Sequence, residues 1–170
     1  MQDGLVAFEF NLGGQIMHVV LVEPEIPPNT GNIARTCAAT GTILHLIEPL
    51  GFSISDRNLK RAGVDYWHLV EVQIHGSWEA LPENLRVPER VHLFTSHAET
   101  RYTDIHYGPN DVLVFGRESV GLSPSLLKQY SDRTRVIPMN GAVRSLNLSN
   151  AVAIVVYEAQ RQRDFCDLDA

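Results

Sequence analysis

Short apolar runs alternate along the chain with stretches of helical periodicity. Six runs predict β-strands: HVVLV (18–22), ILHLI (43–47), HLVEVQI (68–74), VHLFT (91–95), DVLVFG (111–116) and RVIPM (135–139). Several have no polar alternation, which is typical of strands buried on both faces. Helical patterns cover 30–40, 55–62, 77–85, 123–130 and 145–163, the first two followed by Gly41 and Gly63 as stops. Strand and helix in alternation predict an α/β fold with a mostly parallel sheet flanked by helices.

Length and composition indicate one globular domain. The chain has 170 residues, of which 44% are hydrophobic, and this is enough to bury a core. We expect the domain to span residues 17–163, between an N-terminal extension (1–16) and an acidic C-terminal tail (164–170). The extension carries Asp3 and Glu9 without a positive side chain, which is the wrong charge for a signal or transit peptide.

The net charge and the cysteines limit which class of protein this is and which compartment it occupies. The net charge is −6, but five of the 20 acidic residues lie in the two terminal segments, which leaves 15 against 14 Lys and Arg. A near-neutral domain excludes a nonspecific DNA coat but allows a local basic patch. No apolar run reaches about 18 residues, so no membrane span is expected. The two cysteines, Cys37 and Cys166, do not make a disulfide framework and indicate a reducing cytoplasm.

Ligands of parallel α/β sheets bind beyond the carboxyl ends of strands, so the stretches that follow strands hold the candidate chemistry. The first is EPEIPPNTGNIART (23–36), where three prolines stiffen the loop. Asn29 or Thr30 can cap the next helix, and Arg35 would point sideways from it. The alternative is a capped helix with a solvated arginine.

The second stretch is FGRESVGLSPSLL (115–127), in which Glu118 lies between Gly116 and Gly121. The spacing Gly-x-Glu-x-x-Gly fits neither a dinucleotide fingerprint nor a P-loop. A carboxylate here would repel phosphates and accept hydrogen bonds from a hydroxyl or an amine. Ser123 and Pro124 predict a helix cap and the first helical residue. An ordinary tight turn is the alternative for this stretch.

The third stretch is IPMNGAVRSLNLSNAVAIVVYEAQRQ (137–162). Four small polar residues stand at one predicted helix start: Ser145, Asn147, Ser149 and Asn150. A single cap needs only one of them, so neighbours or a ligand must satisfy the others. Capping alone remains the alternative.

Taken in this order and spacing, the three stretches resemble the motifs of the SpoU class of the SPOUT superfamily. EPLGF (48–52) and RAGVDYW (61–67) are similar to its minimal, single-domain TrmL-type group, and the resemblance covers about 17–163. It implies a SPOUT α/β-knot fold with a C-terminal trefoil knot and a homodimer. It also implies S-adenosyl-L-methionine-dependent methylation of an RNA ribose 2′-hydroxyl. For this group the expected target is the wobble nucleotide, cytidine or a modified uridine, of leucine tRNAs.

The resemblance also implies roles for individual residues. Arg35 and Asn29 correspond to the catalytic pair, with Arg35 assigned to activation of the 2′-hydroxyl. The expected cofactor-binding residues follow the later strands: Phe94, Thr95, Gly116, Glu118, Ile137, Ser145, Leu146 and Asn147. S-adenosyl-L-homocysteine would be the product. Because the sulfonium supplies the electrophile, no metal is expected, and the seven histidines show no metal-binding spacing.

Contact with a tRNA anticodon stem-loop requires positive charge near this site. Arg57, Lys60 and Arg61 form a compact basic group, for which a solvated helix face is the alternative, and Arg144 adjoins the third motif. Tyr66 and Trp67 could stack a base, although aromatic residues before a strand are more often core or interface.

Three rival functions differ from this expectation in what they would require. A non-catalytic RNA-binding protein with this fold would bind tRNA but not the cofactor. A phosphoryl transferase would need a Walker-type lysine or a carboxylate pair for magnesium, and neither is present. Methylation of another RNA site, in tRNA or ribosomal RNA, is the nearest rival.

Overall fold

Six parallel strands form the central sheet of the described part of this protein. The structure, a computed structural model, describes residues 16–54, 66–166 and 168. The strands are β1 (His18–Val22), β2 (Ile43–Ile47), β3 (Val72–His75), β4 (Val91–Phe94), β5 (Val112–Phe115) and β6 (Thr134–Arg135). Their order is β3-β2-β1-β5-β4-β6, and these pairings are all parallel. The predicted α/β fold with a mostly parallel sheet is confirmed.

Strand β1 lies inside the sheet because it is apolar on both faces. The α-helices of the described residues are α1 (Pro27–Thr40), α2 (Pro124–Gln129) and α3 (Leu148–Gln162). Val19 and Leu21 belong to a core cluster shared with α1 and α3. Val20, between them, belongs to a second cluster that includes Leu126 of α2. All three β1 residues have no exposed surface, so the strand is held from both sides.

Helix α1 begins earlier than its pattern predicts, because a proline pair occupies its first two positions. A missing N–H has no cost there, since the first N–H groups of a helix have no intrahelical acceptor. Asn29 and Thr30 therefore lie inside the first turn, and the prediction that one of them caps the helix is wrong. Gly41 ends α1 as predicted, in the left-handed conformation with φ 63°.

Proline also accounts for two other differences from the predicted elements. The region 77–85 forms two short 3-10 turns rather than an α-helix, because Pro82 has no N–H and keeps the residue before it extended. The strand predicted at 135–139 is reduced to β6, since Pro138 cannot donate to a strand ladder.

The remaining differences concern the residues at which a strand and a helix begin. The strand predicted at 68–74 begins at Val72, because the 3-10 turn Trp67–Leu69 occupies its first part. Helix α3 begins at Leu148, later than predicted, because Asn147 caps it. The predicted helix 55–62 lies outside the described residues. Among the described helices, none combines the length and the apolar character that crossing a membrane requires.

The direction in which strands are added changes between β1 and β5. Strands β2 and β3 lie on one side of β1, whereas β5, β4 and β6 lie on the other. The loops after β1 and β5 meet at this boundary, at the carboxyl edge of the sheet. Such a switch point is where open α/β sheets hold ligands. The fold therefore brings the first and second motif stretches side by side.

Candidate active site

A cavity of about 780 Å³ lies at the carboxyl ends of β4, β5 and β6. Its walls come from the loops that follow these strands, together with the start of α1. The residues predicted to bind the cofactor all line it: Phe94, Thr95, Gly116, Glu118, Ile137, Ser145, Leu146 and Asn147. Asn29 and Arg144 line it as well. The structure thus brings together three stretches that are far apart in the sequence.

Glu118 joins the loop after β5 to the start of α1. Its carboxylate accepts hydrogen bonds from the backbone N–H groups of Glu25 at 2.8 Å and Ile26 at 3.2 Å. It also accepts one from Asn29 Nδ2 at 3.1 Å. Because α1 has no side-chain cap of its own, this carboxylate supplies the negative charge at the positive end of the helix. The acceptor role predicted for Glu118 is thus filled by the protein's own amides.

Two further residue pairs, one on either side of Glu118, extend this junction between the loop after β5 and the loop that leads into α1. Glu25 accepts hydrogen bonds from the backbone N–H and the hydroxyl of Ser119, both at 2.9 Å. Glu23 forms an ion pair with Arg117. The two loops are therefore joined by alternate residues, much as paired strands would be. These pairs were not predicted from the sequence, although the two-residue spacing of Glu23 and Glu25 matches that of Arg117 and Ser119.

Asn29 links the junction to the third stretch. Asn147 Nδ2 donates to Asn29 Oδ1 at 3.0 Å, while Asn29 is only 5% exposed. The other end of the Asn147 amide caps α3, because its Oδ1 accepts from the N–H and hydroxyl of Ser149 at 2.9 and 2.7 Å. Glu118, Asn29 and Asn147 thus form one hydrogen-bonded network along the cavity wall, which fixes the orientation of both amides.

Apolar side chains and a tight turn form another part of the cavity. The rings of Phe94 and Phe115 are stacked with centroids 4.7 Å apart. A Cβ on Gly116 would lie 2.2 Å from the backbone carbon of Gly121, so only glycine fits there. Gly121 has φ 73° and exchanges backbone hydrogen bonds with Arg117. Gly116 is therefore required by the turn itself, in addition to any approach of a ligand.

Arg35 is exposed and does not line this cavity. It lies six positions after Asn29 on α1, which turns it roughly 240° around the helix axis. Its guanidinium carbon lies 4.6 Å from the centroid of the Tyr66 ring, and Nη2 donates to the Tyr66 hydroxyl at 3.4 Å. Within one chain the structure does not bring Arg35 and Asn29 to one site. The Arg35–Tyr66 contact was not predicted, because 31 positions separate the two residues.

The predicted RNA-binding residues divide into two sets. Arg144 is exposed and lines the cavity. The basic group Arg57, Lys60 and Arg61 lies outside the described residues. Trp67 packs partly buried against the core, which agrees with the core interpretation of the pair Tyr66 and Trp67 rather than base stacking for Trp67.

The most strongly shifted histidines lie in the sheet, outside the cavity. His18 Nδ1 lies 2.9 Å from His45 Nε2, and His45 Nδ1 lies 3.0 Å from His75 Nε2. Burial lowers the pKa of His18 to about 4 and that of His45 to about 3. These rings are therefore neutral at pH 7. Across the described residues, no group of three or more His, Cys, Asp or Glu side chains is arranged to hold a metal ion.

Known proteins resemble this chain over nearly all of its length. The sequence profile of the SpoU rRNA Methylase family matches residues 16–157. A tRNA (cytidine(34)-2′-O)-methyltransferase from Burkholderia pseudomallei (strain 1106a) is 48% identical over 152 residues. The alignment covers 88% of this chain and 97% of that relative.

Two solved structures have the same fold. One, from work on the 2-OH methylation of C/U34 on tRNA, has a TM-score of 0.82 at 47% identity and covers 89% of this chain and 99% of its own. The other is the SpoU methyltransferase AviRb from Streptomyces viridochromogenes in complex with the cofactor AdoMet. Its TM-score is 0.79 at 24% identity, with 89% of this chain and 59% of that chain covered, so this likeness concerns the fold alone. The trefoil knot itself stays a prediction.

Proposed function

Because this chain belongs to the SpoU rRNA methylase family, we propose that it is a tRNA 2′-O-methyltransferase that modifies the wobble nucleotide. The nucleotide is a cytidine or a modified uridine, and the substrates are leucine tRNAs in the cytoplasm. One observation carries the proposal: a relative named for methylation of cytidine 34 is 48% identical over 97% of its length. The cavity supports it, since its walls come from the three stretches that resemble the family motifs.

S-adenosyl-L-methionine suits the cavity by size and by the chemistry of its walls. Ligand pockets are typically about 300–1,000 Å³ and mostly apolar with a few polar groups. Phe94, Ile137 and Leu146 offer apolar surface to an adenine ring, while Ser145 and Asn147 offer hydrogen-bonding groups. The bound sulfonium supplies an electrophilic methyl group, so the transfer needs no metal ion. S-adenosyl-L-homocysteine leaves as the product.

Arg35 acts on the ribose as a charge rather than as a base. Guanidinium groups stay protonated in proteins, so Arg35 does not remove the 2′-hydroxyl proton itself. It holds the adjacent phosphate and stabilises the alkoxide that develops at the 2′-oxygen. The proton leaves to that phosphate or to water. Asn29 holds the cavity wall through its bonds to Glu118 and Asn147.

A homodimer completes the site. Arg35 is exposed and lies away from the cavity of its own chain, so a second copy is needed to present this guanidinium to a ribose bound there. The test mixes two variants, Arg35→Ala and Leu146→Glu, the second placing a charge in the cofactor wall. Each alone should be inactive, and mixed dimers should regain activity because one of their two sites keeps both groups. Failure to regain activity would show that Arg35 serves its own chain.

Arg144 guides the anticodon stem-loop to the cavity mouth, because it is exposed and lines the cavity. Arg57, Lys60 and Arg61 add positive charge along the RNA backbone.

The decisive experiment measures product at single-nucleotide resolution. Leucine tRNA from cells that lack the gene is incubated with the purified protein and S-adenosyl-L-methionine, and its nucleosides are mapped by mass spectrometry. A 2′-O-methyl group at position 34 supports the proposal. Methylation only at another position of tRNA, or in ribosomal RNA, would show that the enzyme has a different substrate from the one proposed. Binding of tRNA without binding of S-adenosyl-L-homocysteine would instead indicate a non-catalytic RNA-binding protein.

A further inference from the structure

Tyr66 contacts the guanidinium of Arg35 in two ways at once. The Arg35 Cζ lies 4.6 Å from the ring centroid, within the range of a cation–π interaction. Nη2 also donates to the phenol oxygen at 3.4 Å. An exposed arginine otherwise samples many rotamers, and ordering it costs conformational entropy. These two contacts therefore restrict the Arg35 side chain before any substrate binds.

The ring of Tyr66 is itself held in place relative to α1. Tyr66 precedes the 3-10 turn Trp67–Leu69, and its carbonyl accepts the Leu69 N–H at 2.9 Å. Trp67 and Val70 pack against the core cluster that contains the buried face of α1. The ring therefore rests on a fixed turn and not on a free loop end.

We propose that Tyr66 is a positioning residue for methyl transfer, because it presents the Arg35 guanidinium in a fixed orientation to the ribose. This inference rests on the proposed function and gives a role to a residue that lies outside the three motif stretches at 23–36, 115–127 and 137–162 and outside the cavity lining. Tyr66 acts through Arg35 and does not itself touch the reacting atoms. Placement of a charged group matters for rate, since small displacements from the productive geometry lower turnover strongly.

The test compares Tyr66→Phe with Tyr66→Leu in single-turnover methylation of leucine tRNA, with enzyme in excess so that slow variants are measurable. Phe keeps the ring under the guanidinium and loses only the weak hydrogen bond, so its rate should fall about two- to threefold. Leu removes both contacts, and its rate should fall about tenfold or more. The KM for tRNA, the Kd for S-adenosyl-L-homocysteine and the melting temperature should change little in both variants.

The same pair of substitutions in an Arg35→Ala background separates positioning from other roles. With the guanidinium gone, Tyr66→Leu should lower the remaining rate no further, because the two residues act as one unit. If Tyr66→Leu lowers the rate as much in the Arg35→Ala background as it does when Arg35 is present, the proposal is overturned. Tyr66 would then make an independent contact, such as stacking on a base. A higher KM for tRNA with an unchanged rate would overturn it in the same way. A higher methylation rate for Tyr66→Leu than for the wild type would also overturn the proposal, since the ring would then be keeping Arg35 away from the ribose.

Failure of this inference differs from failure of the proposed function. If wild-type protein methylates position 34 and Tyr66→Leu matches it, only the positioning role is lost. If wild-type protein binds S-adenosyl-L-homocysteine but leaves position 34 unmodified, the substrate assignment fails before Tyr66 is tested.

Discussion

Asn147 and Asn29 are 118 positions apart in the chain, yet Asn147 Nδ2 donates a hydrogen bond to Asn29 Oδ1 at 3.0 Å. The opposite end of the Asn29 amide donates to Glu118, so one buried side chain connects all three motif stretches. A buried amide with both ends bonded cannot rotate without leaving polar groups unpaired. This favours a structural role for Asn29 in shaping the cavity, alongside the catalytic role that the resemblance assigns to it.

Asn29→Asp should weaken the cavity wall. The new carboxylate cannot donate to Glu118 and instead repels it across a contact that is now 3.1 Å. Loss of a buried hydrogen bond leaves a destabilisation of about 2–3 kcal/mol, which lowers the melting temperature by about 5–10 °C for a domain of this size. Binding of S-adenosyl-L-homocysteine should weaken as well, measured by calorimetry.

Asn32→Asp is the matched control for that variant. Asn32 lies on the same helix but is exposed, so the same change of charge should leave stability within about 0.5 kcal/mol. Equal melting temperatures for the two variants would contradict the network.

The buried strands of the fold follow from the sequence alone. Apolar runs predict β1 and β2 with their observed ends, and β4 and β5 to within one residue at either end, because a strand buried on both faces has a continuous apolar sequence. Several other elements differ from their patterns because a proline, a 3-10 turn or a capping side chain overrides the periodicity. The pattern at 77–85 is helical, but Pro82 divides it.

The candidate site is predictable only as a set of stretches. The family resemblance identifies the residues that line the cavity, but it does not reveal which side chains bond to each other. Spacing cannot show that Glu118 and Asn29 meet, since 89 positions separate them. The sequence likewise suggests that Arg35 and Asn29 share a site, whereas the helix turns them to different faces. Contacts of this kind are decided by tertiary packing.

Gly116→Ala should abolish cofactor binding and destabilise the protein. The added methyl group would meet backbone atoms of Gly121 and Leu122 at 2.2 and 2.3 Å, and backbone cannot move aside as a flexible side chain can. The turn must shift, at a cost of about 3 kcal/mol or more. Thermal unfolding and titration with S-adenosyl-L-homocysteine check both effects. Gly76→Ala is the control, because a Cβ there would meet nothing within 4 Å.

Arg35→Ala should retain cofactor binding and lose turnover. Arg35 is exposed and separate from the cavity wall of its own chain, so neither folding nor the affinity for S-adenosyl-L-homocysteine should change. Removing a group that stabilises transition-state charge typically lowers kcat about 100- to 1,000-fold. Arg35→Lys should recover little, since a lysine cannot reproduce the two-pronged guanidinium contact. Turnover that persists in Arg35→Ala would remove Arg35 from the mechanism.

Stability should fall as the solution becomes acidic, because His18, His45 and His75 form a row of neighbouring rings across β1, β2 and β3. In the folded state burial lowers the pKa of His45 from 6.5 to about 3, and that of His18 to about 4. The unfolded chain therefore binds more protons than the folded one below pH 6.5, so the free energy of unfolding is greatest above that value and decreases toward pH 4. Each unit of pKa difference is about 1.4 kcal/mol, so the loss reaches a few kcal/mol.

Urea unfolding at pH 8, 6 and 5 measures this dependence. The groups that face the row are Glu71 and Arg90 near His18, and the neighbouring rings on either side of His45. His45→Leu removes the most strongly shifted histidine of the row, so its stability should change less than that of the wild type between pH 8 and 5, even if it is lower at pH 8. The exposed His106 serves as control, since His106→Gln should keep the wild-type slope. A His45→Leu variant with the wild-type slope would disprove the role of the row.

Arg144→Ala should weaken tRNA binding without slowing the chemical step. Arg144 is exposed at the cavity mouth, where a cation can pair with an RNA phosphate but need not contact the reacting ribose. Loss of one phosphate contact should raise the KM for tRNA, leave kcat unchanged, and reduce the slope of log affinity against log salt by about 1. Arg101→Ala is the control, because Arg101 is exposed but does not line the cavity. If kcat falls while the salt slope stays the same, Arg144 stabilises the transition state and has a catalytic role like that of Arg35, not a role in binding the RNA backbone.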